Sequence, residues 1–288
     1  MYPIRESVTA IKNKTDFCHS KKTDYLTALI PLKMTAAIEV QQLSKRYQEK
    51  ILHELNFSVS EGEIIGYIGP NGAGKSTTIK ILTGLIPDFE GDAIVAGMDV
   101  RQHAIEIKRI IGYIPENAAL YDVLTPLEFL EFVGHLYGLE KDKTILKANE
   151  LLKLFGLETS RNDRMNTFSK GMRQKVLLIS GLLHNPKILF LDEPLSGLDA
   201  NAVILVKEVL QQLKLAGKTI FYSSHIMDVV EKISDRIMII NQGKLIANGT
   251  FAELNEQAQS GSLEQLFTNL TGTGEHKEKA MQLIDIIK

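Results

Sequence analysis

A single cysteine, Cys18, occurs in the 288 residues, which rules out an intrachain disulfide and a cysteine-based metal cluster. The chain also lacks any run near the roughly 18 consecutive apolar residues that a membrane-spanning helix needs. Its apolar runs, such as 187–191 and 236–240, are strand-length and bounded by polar residues, as buried strands of an α/β sheet are. Any membrane role therefore needs a partner to supply the span. An excess of one charge is missing too. The 33 Lys and Arg against 35 Asp and Glu give a net charge of −2, so no basic surplus advertises nucleic acid as the main partner. Neither an internal repeat nor a sustained heptad is found, which excludes a solenoid and a long coiled coil. What remains is a chain with 44% hydrophobic residues, enough to build a substantial core.

Residues 1–33 stand apart. They carry Arg5, Lys12, Lys14, Lys21, Lys22 and Lys33 against Glu6, Asp16 and Asp24, without periodicity. Their best apolar run, 25–32, is short and contains Pro31, which fits neither a signal peptide nor an anchor. The expectation is that Met34 is the natural start and that 1–33 is a disordered or non-native extension. From residue 36 strands and helices alternate, the pattern of an α/β domain. Strands are expected at 37–40, 64–68, 92–97, 111–114, 188–191 and 219–223. A last hairpin, 236–247, should turn at Asn241-Gln242-Gly243. Helices are expected at 76–85 and 203–215, and 126–180 reads as helical throughout. Leu127, Leu130 and Val133 share one helical face there, and Leu151, Leu152 and Phe155 another. Residues 272–279 read as a polar linker, followed by a short amphipathic helix carrying Met281, Ile284 and Ile287 that should pack on the domain.

Gly69-Pro70-Asn71-Gly72-Ala73-Gly74-Lys75-Ser76 matches the phosphate-loop pattern G-x-x-x-x-G-K-[ST] in full. Glycines let successive backbone N–H groups curl around phosphate oxygens where side chains would block the approach. The following helix turns its positive dipole end toward the same anion. Lys75 would reach the β- and γ-phosphates, and the Ser76 hydroxyl would ligand Mg²⁺. Such a pattern arises by chance in about 1% of chains of this length. Its position between a buried strand and a helix makes chance the poorer explanation. A second apolar strand, 188–191, runs into Asp192 and Glu193. Neighbouring side chains on a strand point to opposite sides, so the two carboxylates can hold different jobs. Asp192 is placed to hold Mg²⁺ and Glu193 to polarise an attacking water.

With both pieces in order, residues 36–272 resemble the ATP-binding-cassette (ABC) ATPases. The resemblance implies a P-loop α/β core with an N-terminal antiparallel β subdomain and a helical insert at about 117–182, while residues 273–288 beyond it are expected to form the tail helix. It further implies ATP and Mg²⁺ as ligands, and a head-to-tail pair of cassettes, identical or related, that sandwiches two nucleotides. The family's signature is usually Leu-Ser-Gly-Gly-Gln; this chain has Phe168-Ser169-Lys170-Gly171-Met172, then Arg173-Gln174. Ser169 and Gly171 are retained, and they would meet the γ-phosphate held by the partner cassette. His225 follows strand 219–223, where the family places a histidine at the γ-phosphate. Tyr47 stands where an aromatic ring stacks on adenine. Thr77 extends the phosphate loop, and the stretch Ser196-Gly197-Leu198-Asp199 resembles the segment that links the two ATP sites. Glu116, after Ile111-Gly112-Tyr113-Ile114-Pro115, departs from the usual glutamine that touches Mg²⁺ and signals to the membrane partner. A carboxylate still offers oxygen to the metal, with an added charge.

The resemblance thus implies an ATPase at the cytoplasmic face of a membrane, powering a separate transmembrane permease. The Pro115-Glu116 and Ser169–Gln174 forms look like those of exporters assembled from separate subunits. The alternative is a soluble cassette acting on ribosomes or DNA. Against it, 77–167 holds a compact insert rather than a coiled coil, and only one cassette is present. A P-loop kinase would lack the signature and His225, and a binding-only module would not need both Asp192 and Glu193.

Overall fold

A computed structural model describes residues 36–116, 120–258, 261–272 and 276–287. The expected extension 1–33 lies outside the described residues. The strands are β1 Ala36–Arg46, β2 Lys50–Ser60, β3 Ile64–Ile68, β4 Glu90–Val95, β5 Met98–Asp99, β6 Ile111–Ile114, β7 Ile188–Asp192, β8 Thr219–Ser223, β9 Arg236–Asn241 and β10 Lys244–Gly249. The helices are α1 Lys75–Leu82, α2 Ala104–Ile110, α3 Pro126–Leu136, α4 Lys141–Leu154, α5 Lys170–Leu182, α6 Ala200–Leu215, α7 Met227–Ile233, α8 Phe251–Ala258, α9 Leu263–Thr271 and α10 His276–Ile287.

Two sheets result. The first, β2-β1-β4-β5, is antiparallel throughout. The second runs β10-β9-β3-β8-β7-β6, parallel except where β10 pairs with β9. This is the α/β cassette architecture with its antiparallel subdomain. Strands β3, β7 and β8 are buried along their whole length, which explains their unbroken apolar sequences. Alternation then divides each strand between two cores. Ile64, Ile68, Leu189, Leu191, Ile220 and Tyr222 pack with the helices of the insert and with α6 and α7. Ile65, Tyr67, Ile188, Phe190 and Phe221 pack against the antiparallel sheet and α1.

The insert has no separate core. Leu130 on α3 and Leu152 on α4 are fully buried in the same cluster as the strand residues. Its first helix begins as its sequence dictates. Thr125 accepts from the Glu128 N–H, Glu128 accepts from the Thr125 N–H, and Pro126 occupies the first turn. The stretch 126–180 is not helical throughout: between α4 and α5 the chain runs irregularly, with a 3₁₀ turn at Met165–Thr167. Glycine at 156 and the polar run 158–164 interrupt the apolar period there. The tail helix starts at His276, inside the stretch read as a linker, and the side chains of 282–287 are exposed rather than packed on the domain. Among the described residues no helix is long and apolar enough to cross a membrane.

Because insert and sheet share one core, Leu152→Ala should lower the stability of the whole unit by about 2–5 kcal/mol. Urea unfolding followed from both regions should show one transition at lower urea. Early loss of the insert alone would contradict a shared core.

Candidate functional site

Strands β3, β8, β7 and β6 are consecutive neighbours and parallel, so their carboxyl ends lie side by side. Loops leaving that edge of an open α/β sheet are where ligands bind. Each strand delivers one part of the expected site: the phosphate loop after β3, Ser223 to His225 at β8, Asp192 and Glu193 at β7, and Glu116 beyond β6.

The phosphate loop needs its glycines for two separate reasons. Gly74 has φ +108°, a left-handed backbone open to glycine, and a Cβ there would lie 2.5 Å from the Leu52 side chain. A Cβ on Gly69 would fall 2.3 Å from the backbone oxygen of Ile240. Lys75 opens α1 and is buried; its ammonium donates to the Gly69 and Pro70 carbonyls at 2.7 and 3.1 Å. Burial pulls the Lys75 pKa down, while Glu193, Asp192 and Glu116 pull it back up. The charges of three carboxylates thus reach one ammonium.

Asp192 is 3% exposed, and its Oδ1 accepts a hydrogen bond from Ser223 Oγ at 2.7 Å. Glu193 adopts φ +51°, a left-handed backbone that a non-glycine residue holds only under constraint. The constraint comes from β8: the Glu193 N–H donates to Ser223 Oγ at 3.0 Å and to the Ser223 carbonyl at 3.3 Å. The turn aims the carboxylate at His225, whose Nδ1 lies 2.7 Å from Oε2 and whose N–H donates to the same oxygen at 3.3 Å. Tyr113 on β6 feels the Asp192 charge: burial first, and that carboxylate second, push its phenol up to about 12.

One cleft of about 800 Å³ gathers these groups. From the phosphate loop it takes Asn71, Gly72, Gly74, Lys75, Ser76 and Thr77; Glu116, Asp192, Glu193 and His225 form the acidic side, with Tyr47 at the rim. Gly69, Pro70 and Ala73 support the loop without lining the cleft. Ser169, Gly171 and Asp199 lie elsewhere. Ser169 caps α5 by accepting from the Met172 N–H, so that helix starts at Lys170 rather than at Gln174. Asp199 caps α6 by accepting from the Ala202 N–H, the main cause of its lowered pKa. Sequence reasoning missed Ile51, which lines the cleft from β2, and Ser223. The signal for Ser223 was its place at the carboxyl end of a buried strand.

The oxygens of Ser76, Asp192 and Glu116 share this cleft. Among the described residues no group of three or more His, Cys, Asp or Glu could hold a metal ion by itself. That donor set suits Mg²⁺, which is held by one or two carboxylates together with substrate phosphates.

Comparison with known proteins adds the setting. A family model described as ABC transporter matches residues 52–196, about half of the chain. The chain is similar to the linearmycin resistance ATP-binding protein LnrL of Bacillus subtilis: 38% identical over 230 residues, 80% of this chain and 74% of the relative. It is also similar to the ABC transporter ATP-binding protein NatA of the same organism, 36% identical over 236 residues, 80% of this chain and 96% of the relative. A solved ATP-binding subunit of an ABC transporter matches with TM-score 0.76 and 34% identity, covering 81% of this chain and 99% of that one. A dimeric ATP-binding cassette in a post-hydrolysis state bound to ADP and Pi matches with TM-score 0.69 and 26% identity, covering 74% and 98%.

The Ser223 hydroxyl satisfies a buried carboxylate and a strained backbone at once. Ser223→Ala should therefore cost about 1–3 kcal/mol in denaturant unfolding. An unchanged midpoint would mean that Asp192 finds another donor.

Proposed function

The chain belongs to the ABC transporter family as an ATP-binding subunit, and on that premise we propose that it hydrolyses MgATP to drive export through a separate transmembrane permease. The observation that carries the reading is the convergence of phosphate loop, paired acids and His225 on one cleft. Backbone N–H groups of the loop and the Lys75 ammonium bind the β- and γ-phosphates. Tyr47 stacks on adenine. Ser76, Asp192 and Glu116 hold Mg²⁺, which supplies neutralising charge to the phosphate oxygens when bound. Glu193 orients and polarises water for attack on the γ-phosphate, and His225 holds the Glu193 carboxylate in place.

Two cassettes are needed for each reaction. Ser169 and Gly171 lie outside the chain's own cleft, so they serve the nucleotide held by a second copy or a related chain. That reading is supported by the dimeric cassettes among the similar structures. The pair closes on ATP and reopens after hydrolysis, and the insert passes this motion to the permease at the cytoplasmic membrane face. The Pro115-Glu116 and Ser169–Gln174 forms support the outward direction.

Glu193→Gln should bind ATP as the wild type does while turnover falls by about 100-fold or more. Hydrolysis at the wild-type rate would remove Glu193 from its role. The same variant, held closed with ATP, should copurify with a polytopic membrane protein from detergent-solubilised native membranes. Recovery of ribosomes or DNA-associated proteins instead would overturn the transport reading and leave the ATPase standing.

A further inference from the structure

Beneath Tyr47 lies a charged group to which the reading above gives no work. Lys45 is the penultimate residue of β1, and its side chain is only 5% exposed. A buried ammonium is costly unless charge or dipoles compensate it. Its carboxylate partner among the described residues, Asp88 in the loop before β4, receives it at 2.9 Å and through its backbone carbonyl. Yet the Asp88 side chain is 94% exposed, so water screens that charge. Beyond the Asp88 carboxylate and carbonyl, an aromatic ring also compensates it. Lys45 Nζ lies 4.8 Å from the centroid of the Tyr47 ring, within the distance at which a ring face attracts a cation.

The placement of the two residues is asymmetric. Tyr47 and Ile51 line the nucleotide cleft, and Lys45 does not. Tyr47 therefore touches both the ammonium, through one ring face, and the cleft that it helps to line. Tyr47 itself is 56% exposed on the short turn joining β1 to β2, tethered there by its N–H donating to the Glu49 carbonyl at 2.9 Å. An exposed ring on such a turn would sample several rotamers, and stacking would then have to order it.

We infer that Lys45 is a positioning residue for the nucleotide base: its buried ammonium holds the Tyr47 ring in the orientation that stacks on adenine. The inference rests on the assignment of Tyr47 to adenine proposed above. Two effects act together. The cation fixes one ring orientation before the base arrives, which removes part of the ordering cost of binding. It also draws π density toward itself, so the outer face repels a stacked purine less. Affinity for the base should depend on Lys45, whereas affinity for the triphosphate should not.

The test is a double-mutant cycle on the full-length chain, reading dissociation constants for ATP and for inorganic tripolyphosphate. Lys45→Met and Lys45→Gln keep the length of the stem and leave Asp88 in water, so neither strands a buried charge. Each should weaken ATP by about fivefold and leave tripolyphosphate within about twofold, while Lys45→Arg should retain ATP binding within about twofold. In a Tyr47→Ala background, Lys45→Met should add nothing. The proposal fails if the neutral variants bind ATP as the wild type does, if they weaken ATP and tripolyphosphate alike, or if their effect survives Tyr47→Ala. Should Tyr47→Ala itself leave ATP affinity unchanged, the adenine assignment falls first and this inference with it.

Discussion

Asp192 and Ser223 face each other in register across two parallel strands, and the site is organised around that pairing. One hydroxyl donates to the Asp192 carboxylate and accepts from the Glu193 N–H. The first bond keeps a buried acid solvated by protein rather than water. The second holds Glu193 in a left-handed turn that its side chain would otherwise resist. A shift of β8 by one residue would point the serine to the other face of the sheet and release both carboxylates.

The electrostatics follow from that arrangement. Glu116, Asp192 and Glu193 all act on the single ammonium of Lys75, which burial alone would discharge more readily. A cleft this rich in carboxylate is suited to a ligand that brings cationic charge with its phosphates, as a magnesium nucleotide does. Glutamate at 116 in place of the usual glutamine adds to this demand.

The segment Ser169–Gln174 is tied to the loop after β7 inside the same chain. Gln174, buried on α5, donates to the Pro194 carbonyl at 3.1 Å, one residue beyond Glu193. Lys170, where the family usually has glycine, donates to Ser196 Oγ at 2.9 Å. Gly171 approaches the Gly197 carbonyl so closely that a Cβ would sit 2.7 Å from it. The face that would meet a neighbour's nucleotide thus rests on the loop that follows Glu193.

The phosphate loop, the acidic strand end and strands β3, β6 and β8 were legible in the sequence, because each is a local pattern: a glycine spacing, or an apolar run with a fixed period. Helix α2 was missed because its seven residues bury only Ile107, too little to mark a periodic face. The gap between α4 and α5 was missed although Gly156 and the polar run 158–164 mark it, because the apolar faces on either side were read as one helical stretch. What the sequence determined by itself was the chemistry available: one phosphate loop, two adjacent carboxylates, a histidine after a strand, and no membrane span among its runs. Tertiary structure alone decided that β3, β8, β7 and β6 lie side by side, that Ser223 serves both acids, and that Lys45 backs Tyr47. The first two relations join residues far apart in the chain, which only sheet order brings together; the third joins near neighbours whose burial and ring contact only the packing around β1 sets.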